Sequence, residues 1–154
     1  MNFVLIGGVA AALHGSEQVT RDIDIVPEMT PANVDRLVAA LTELGAFRAS
    51  VPDELTEPRS QDFALRIEQF VCPIGNIDVI VEARSIGSYE DLVDEAETID
   101  LNAGLRIQIA GIDQIIQSKA GSGRDKDPNH IRSLERIKEL KAEQRADGPT
   151  QEKH

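Results

Sequence analysis

The 154-residue sequence predicts an α/β (α+β) protein in which helices flank one mixed β-sheet and the C-terminal part is helical. β-rich runs and helix-spaced apolar patterns interleave along the chain, as they do in sheets covered by helices. Two of the β-rich runs also flank "PIGN", residues 73–76, which indicates an antiparallel hairpin inside the sheet. A mixed sheet is therefore favoured over a purely parallel one.

The first 45 residues alternate between short strands and helices. The predicted elements are a strand over Phe3–Ile6, a short Ala-rich helix over Val9–Leu13, a strand over Arg21–Val26 and a helix over Pro31–Leu44. The glycine pair Gly7-Gly8 ends the first strand, and Gly45 ends the long helix. Thr30 followed by Pro31 is typical of a helix start, with proline at the first helical position.

The rest of the chain contains a loop, the hairpin and the C-terminal helices. After a polar, proline-punctuated loop over 50–61, strands are predicted over Phe63–Cys72 and Ile77–Val81, followed by a helix over Tyr89–Ala96 and a strand over Arg106–Ile109. The next helix carries Ile112, Ile115 and Ile116 on one face. Asp127-Pro128 opens the last helix, whose inward residues are predicted to be Ile131, Leu134, Ile137 and Leu140. The polar sequence from Ala142 onward predicts fraying. We therefore expect one domain over residues 1–141 and a tail over 142–154.

Composition limits the possible functions. The chain has 16 Lys and Arg against 27 Asp and Glu, a formal net charge of −11, which disfavours sequence-independent coating of nucleic acid. Cys72 is the single cysteine and predicts no disulfide framework, as expected in a reducing cytoplasm. No apolar run approaches the roughly 20 residues of a membrane span, so we expect no membrane partner.

Two features in the first 26 residues could carry chemistry. Asp22 and Asp24 alternate with Ile23 and Ile25, so both carboxylates should point to one face of the strand, roughly 6–7 Å apart. They tolerate each other if they are solvated or share divalent cations. Upstream, Gly7-Gly8 offers bare backbone that phosphate can approach. Each feature has a structural alternative, a helix-capping glycine pair and a solvated acidic strand.

Other glycine-rich phosphate motifs are excluded by spacing. A Walker loop requires lysine directly after its last glycine, and no lysine occurs before Lys119. A dinucleotide-binding motif requires three closely spaced glycines, whereas the next glycine after Gly8 is Gly15.

The combination "IGG", a spacer of thirteen residues and "DIDI" resembles the signature of the polymerase-beta-like nucleotidyltransferase superfamily. With "NIDVIVEA" and "IAGIDQIIQSKAGSGRDKD" downstream, the chain resembles in particular the minimal nucleotidyltransferases that include AbiEii-type toxins of toxin–antitoxin systems. The resemblance covers roughly residues 3–140. It implies a nucleotidyltransferase-like fold, a nucleoside triphosphate substrate, and Mg²⁺, with two ions expected and Mn²⁺ as an alternative. For a toxin it also implies a cognate antitoxin as partner.

The resemblance also implies a third carboxylate on a later strand. Asp78 in Ile77-Asp78-Val79 matches it, which makes Asp22, Asp24 and Asp78 the expected catalytic and metal-binding residues. Asp78 interrupts an apolar run, where a charge without a function would cost folding free energy. Glu68 is the competing candidate, and an edge-strand acid that prevents aggregation is the structural alternative for Asp78.

Basic residues in the C-terminal third are candidates for the triphosphate. Lys119 continues the face of Ile112, Ile115 and Ile116 by one turn, so an ammonium ends a stripe that should point inward. It could equally snorkel to water. The resemblance implies a contact between this lysine and the triphosphate. We add Arg124 and Lys126 of the following loop, and Arg21 at the rim, to the expected binding residues.

Three further residues receive mainly structural interpretations. Asp127 is expected to cap the last helix, although the resemblance also suggests a catalytic role. His14 is expected to make a structural or polar contact. Cys72 is expected to pack in the hairpin, because no histidine lies near it in sequence.

These observations predict a cytoplasmic, magnesium-dependent enzyme that transfers a nucleoside monophosphate to an acceptor hydroxyl. The acceptor could be an RNA end, a protein or a small molecule, including an aminoglycoside-type compound. The alternative is a catalytically inactive nucleotidyltransferase fold that serves as a binding or antitoxin-interaction module.

Overall fold

The computed structural model describes residues 1–17, 19–51, 54–102, 104–121 and 127–146. Its strands are β1 Phe3–Ile6, β2 Asp22–Pro27, β3 Phe47–Val51, β4 Glu54–Thr56, β5 Ile67–Cys72, β6 Gly75–Ile80, β7 Glu97–Asp100 and β8 Arg106–Ile109. Its α-helices are α1 Gly7–Leu13, α2 Pro31–Glu43, α3 Tyr89–Val93, α4 Ile112–Ala120 and α5 Asp127–Ala146, and a 3₁₀ helix spans Ser60–Ala64.

The described strands form one mixed sheet in the order β4-β3-β5-β6-β2-β1-β8-β7. β5 and β6 form the expected antiparallel hairpin. β6 lies parallel to β2, and β8 lies parallel to β1, while β1 and β2 are antiparallel. The predicted mixed sheet flanked by helices is therefore confirmed.

The core is aliphatic, as the low aromatic content of the sequence requires. α2 buries Val34, Leu37 and Leu41, and the fully buried side chains of the central strands include Val4 and Val79. Two aromatic rings, Phe63 and Phe70, pack with their centroids 5.9 Å apart. Helical and strand periodicities thus place apolar groups as the sequence indicates.

Asn33 is a fully buried polar residue that joins the chain start to α2. Its Nδ2 donates to the carbonyl oxygens of Asn2 and Glu28, each at 2.8 Å, and its Oδ1 accepts from the Asn2 N–H at 2.6 Å. Because these bonds replace those to water, the amide is tolerated in the core and fixes how β1 and the β2–α2 connection meet.

Two sequence predictions of secondary structure are wrong. Residues 50–61 were expected to form a loop, but β3 reaches Val51, β4 covers Glu54–Thr56 and the 3₁₀ helix starts at Ser60. Pairing of β3 with both β4 and β5 overrides the polar, proline-containing composition. The helix predicted over Tyr89–Ala96 ends at Val93, and the unpredicted β7 pairs with β8.

Two further differences concern Phe63 and the last helix. Phe63 belongs to the 3₁₀ helix rather than to a strand. In α5, Leu134 is buried as expected, but Leu140 is 41% exposed, which corrects its predicted inward position. α5 continues to Ala146, beyond Ala142 where fraying was predicted, and residues 147–154 lie outside the described residues. In the described ranges, no helix has the length and apolar character needed to cross a membrane.

Candidate functional site

Three aspartates share one face of two adjacent parallel strands. Asp24 on β2 is the register partner of Asp78 on β6, and Asp22 lies two residues earlier on β2, opposite Asn76. Side chains of register partners lie on the same face, and alternation returns Asp22 to that face. Ile77 and Val79, the neighbours of Asp78, are buried on the opposite face. The predicted convergence of the three carboxylates on one face is what this register produces.

Two side-chain amides hydrogen-bond to these carboxylates. The Nδ2 of Asn76 donates to Asp22 Oδ1 at 3.1 Å, and the Nε2 of Gln69 donates to Asp78 Oδ1 at 3.4 Å. Gln69 is the register partner of Asp78 on β5. The two amides lie on the same face of the sheet as the aspartates and therefore orient the carboxylates of Asp22 and Asp78.

Glu68, the competing candidate for the third carboxylate, points away from this site. It is 4% exposed, and its Oε2 accepts from Arg48 Nε at 2.7 Å on the other face of the sheet. Asp62 lies 3.5 Å from the same guanidinium. The hydrogen bond to Glu68 is the main reason that the pKa of Arg48 lies above its ordinary value. Glu68 thus belongs to a buried ion-pair cluster, and Asp78 is the carboxylate on the site face.

The glycine pair brings backbone against the acidic strand. Gly7 has φ = +67°, and a Cβ there would collide with the Asp24 carboxylate. A Cβ on Gly8 would lie 2.6 Å from Thr20 Cβ. The missing side chains therefore make room for Asp24 and Thr20, a close approach that only glycine permits.

A cavity of about 410 Å³ opens in front of the aspartates. Gly7, Gly8 and the three aspartates line it together with Ser118 and Lys119 of α4 and His130 of α5. Carboxylates and an ammonium thus line one water-accessible space. This is an arrangement that can hold a polyanion together with divalent cations.

Of the other predicted binding residues, the described part of the chain contains only Arg21. Arg21 is exposed and precedes β2, and it is not among the described residues that line the cavity. Arg124 and Lys126 lie outside the described residues, and the side chain of Asp127 is likewise not described. His14 is buried, as its structural interpretation requires. Its ring accepts from Lys141 Nζ at Nδ1 and donates from Nε2 to the Ala110 carbonyl, each at 2.8 Å.

Sequence reasoning missed Gln69, Asn76, Ser118 and His130 as residues around the site. Gln69 could have been found from the hairpin register, because pairing across residues 73–74 places it opposite Asp78. Ser118 directly precedes the lysine that was predicted. For His130, the sequence carries no signal beyond its place near the start of the last helix.

The donor set fits magnesium in part. In the described ranges, no group of three or more His, Cys, Asp or Glu side chains is arranged to hold a metal ion by itself. Magnesium, however, takes one or two protein carboxylates and completes its shell with water and substrate phosphates. The register neighbours Asp24 and Asp78 supply such a pair, so the residues fit a metal that arrives with a triphosphate.

Comparison with known proteins decides the family. Residues 1–145 match the family described as "Nucleotidyltransferase of unknown function (DUF6036)". The chain belongs to this nucleotidyltransferase family. No curated protein sequence matches this family member significantly.

A solved structure supports the fold of this nucleotidyltransferase-family protein. The solution structure of the antibiotic-resistance factor ANT(2'')-Ia superimposes with a TM-score of 0.53 at 15% sequence identity. The match covers 95% of this chain and 83% of that chain. At this identity the similarity establishes a shared fold, in agreement with the mixed sheet described above.

Proposed function

We propose that this protein is a magnesium-dependent nucleotidyltransferase that moves a nucleoside monophosphate from a nucleoside triphosphate to an acceptor hydroxyl. The observation that carries the proposal is the placement of Asp22, Asp24 and Asp78 on one sheet face, lining a cavity that Lys119 also lines. Membership of a nucleotidyltransferase family supports the reaction class.

The residues that line the cavity have distinct tasks in this proposal. Asp22, Asp24 and Asp78 would hold Mg²⁺, or Mn²⁺ in its place, once the triphosphate adds its own oxygens. Bound there, the metal would lower the pKa of the acceptor hydroxyl and neutralise the triphosphate. Gly7 and Gly8 present backbone to the phosphates, and Lys119 balances their charge from α4.

The chemistry is a displacement at the α-phosphorus. The acceptor oxygen bonds to the α-phosphorus, the bond from that phosphorus to the α,β-bridging oxygen breaks, and pyrophosphate leaves. The hydroxyl proton passes to one of the site carboxylates and then to solvent. Through the hydrogen bonds described above, Gln69 holds the carboxylate of Asp78 in place during the reaction, and Asn76 holds that of Asp22.

Labelled nucleotides test the proposal directly. The protein is incubated with each α-³²P-labelled nucleoside triphosphate, Mg²⁺ and a cell extract. We expect Mg²⁺-dependent label on an acceptor, and a melting temperature that rises when Mg²⁺ and nucleotide are added together. Absence of label together with an unchanged melting temperature would favour the alternative, a catalytically inactive fold used for binding.

The toxin role is a narrower proposal that rests on the motif resemblance. It is tested by inducing the protein in cells beside an Asp22→Asn, Asp24→Asn double variant. Growth arrest by the wild type alone supports a toxin that a cognate antitoxin must restrain. Equal growth of the two strains would contradict it.

A further inference from the structure

The aspartate-bearing face of the sheet continues beyond the cavity onto uncovered apolar side chains. Val71 on β5 is the register partner of Asn76, and Phe47 on β3 is the register partner of Val71. Phe47 and Val71 are each 43% exposed. The row that begins at Asp22 therefore runs through Asn76 to two solvent-exposed apolar residues on the same face.

A second row runs parallel to the first. Leu55 on β4 is the register partner of Ala49 on β3, and Leu55 is 61% exposed. Arg48, which separates Phe47 from Ala49, points to the opposite face, where it binds the buried Glu68. Ala49 and Leu55 therefore lie on the same face as Phe47. We call Phe47, Ala49, Leu55 and Val71 the apolar shelf.

The apolar shelf is continuous with the proposed nucleotide site. A small cavity of about 90 Å³ is lined by Ala49 and Val71 together with Asp22, Asp78 and Gln69. Asp22, Asp78 and Gln69 also line the large cavity. A molecule lying on the shelf can thus place a hydroxyl beside the aspartates.

The form of the shelf disfavours a small-molecule acceptor. Leu55 lies three strand spacings from Asp78, about 14 Å across the sheet. Small-molecule sites are concave and enclose most of their ligand. An open sheet surface of this span is instead suited to a segment of a macromolecule, because about four extended residues cover 14 Å.

The charge of the shelf disfavours RNA. RNA binding depends on basic side chains that neutralise phosphates, or on stacking platforms inside a positive groove. The four shelf residues are uncharged, the charged residues that line the small cavity with Ala49 and Val71 are Asp22 and Asp78, and the whole chain carries −11. A polycationic acceptor would also fit this surface poorly, because the apolar shelf offers no negative charge beyond the aspartates.

We infer that the acceptor is a protein, which docks an apolar segment on the apolar shelf and presents a side-chain hydroxyl to the aspartates. The inference rests on the proposed function and specifies its acceptor. The acceptor side-chain oxygen bonds to the α-phosphorus and pyrophosphate leaves, so the product is a nucleotidylated protein. The affinity for the acceptor comes from burial of Phe47, Leu55 and Val71 on docking, so these residues would set the KM for the acceptor.

In the experiment, the protein is incubated with a cell extract, α-³²P-labelled nucleoside triphosphate and Mg²⁺. The labelled product is then divided into portions for ribonuclease digestion, protease digestion and mass spectrometry. We expect the label to resist ribonuclease, to be lost on protease digestion, and to map by mass spectrometry to a hydroxyl flanked by apolar residues. Leu55→Ser and Phe47→Ser should lower labelling of that protein at least tenfold. Leu105→Ser, at a residue 60% exposed in the β7–β8 connection, is the matched control and should label normally.

Nucleotide affinity is measured in parallel for all four proteins and separates the possible failures. Normal binding with ribonuclease-sensitive label, with label on a small molecule, or with no label overturns the protein-acceptor inference and leaves the nucleotide site standing. Equal protein labelling by the shelf variants and the wild type overturns the docking role of the shelf. Loss of Mg²⁺-dependent nucleotide binding in the wild type overturns the proposed function itself.

Discussion

The carboxylate of Asp24 fills the space that a Cβ on Gly7 would occupy. Gly7 also has φ = +67°, in the left-handed region that side chains with a Cβ rarely adopt. Two independent demands, one on backbone conformation and one on space, therefore select glycine here. The second demand couples the end of β1 to the carboxylate that we propose as a metal ligand.

Gly7→Ala tests this coupling. Backbone strain costs about 1–2 kcal/mol, and displacement of Asp24 should raise the total loss of unfolding free energy to about 2–4 kcal/mol. Transfer activity should fall with it, because Asp24 is moved. Gly104→Ala is the matched control: its φ is +78° and nothing lies within 4 Å of an added Cβ. Denaturant titrations that give equal losses for the two variants would contradict the steric part of the argument.

Asp24→Asn removes a charge from the proposed metal site while preserving shape. We expect transfer to fall at least about 10³-fold, since charge neutralisation and positioning are most of what such a site contributes. Stability without metal should stay the same or rise, because a like-charge repulsion with Asp22 and Asp78 is relieved. Asp94→Asn, at an exposed carboxylate outside the cavity, is the control. Full activity of Asp24→Asn would remove Asp24 from the mechanism.

Lys119→Met replaces the ammonium on α4 by an apolar group of similar length. The affinity for a non-hydrolysable triphosphate analogue should fall about tenfold or more, while the melting temperature stays near that of the wild type. Lys138→Met on α5 removes an exposed lysine away from the cavity and should leave affinity unchanged. Isothermal titration calorimetry provides the measurement. Unchanged affinity of Lys119→Met would mean that this lysine does not contact the triphosphate.

The buried ion-pair cluster under β3 predicts a stability effect that is independent of catalysis. Arg48→Met leaves Glu68 buried without its hydrogen-bond donor and should cost about 3–5 kcal/mol of unfolding free energy. The Arg48→Met, Glu68→Leu double variant removes the charge stranded at position 68 and should recover part of that loss, while Asp62 remains without the guanidinium. Urea denaturation of both proteins is the test, and equal instability of the single and double variants would contradict it.

Asp91 gives a pH-dependent prediction. The backbone N–H and the hydroxyl of Ser88 both donate to its carboxylate, and these bonds hold the pKa of Asp91 below its ordinary value. A lowered folded-state pKa contributes stability above the unfolded-state value, and this contribution is lost as pH falls through the folded-state pKa. Asp91→Asn should therefore be less stable than the wild type at pH 7, and the difference should shrink below about pH 4. Melting curves across this range would show a constant difference if the carboxylate were unimportant.

Much of the candidate site could be predicted because it depends on local rules. Strand alternation alone puts Asp22 and Asp24 on one face, and the helical stripe of Ile112, Ile115 and Ile116 places Lys119 toward the cavity. The choice of Asp78 over Glu68 is different. It depends on which face of β5 and β6 meets the core, which only the cross-strand register fixes.

The parts that sequence reasoning missed are those set by long-range pairing. β4 has three residues and β7 has four, too few for a clear alternation pattern, and each gains its strand conformation from its neighbour in the sheet. His130 reaches the cavity wall only because α5 packs beside α4. Local propensity contains no information on either relationship.

The pairing of β2 with β6 also has a consequence for how the protein folds. Asp22 and Asn76, joined by a hydrogen bond, are 54 residues apart in sequence, and β1, β3, β4 and β5 are placed around them in the finished sheet. Such a parallel, non-local contact forms slowly, because the entropy of closing a long loop is lost before the strand pairing contributes any stabilising free energy. We therefore expect the carboxylates to meet late in folding. Recovery of nucleotide binding during refolding should then lag behind the recovery of helical signal.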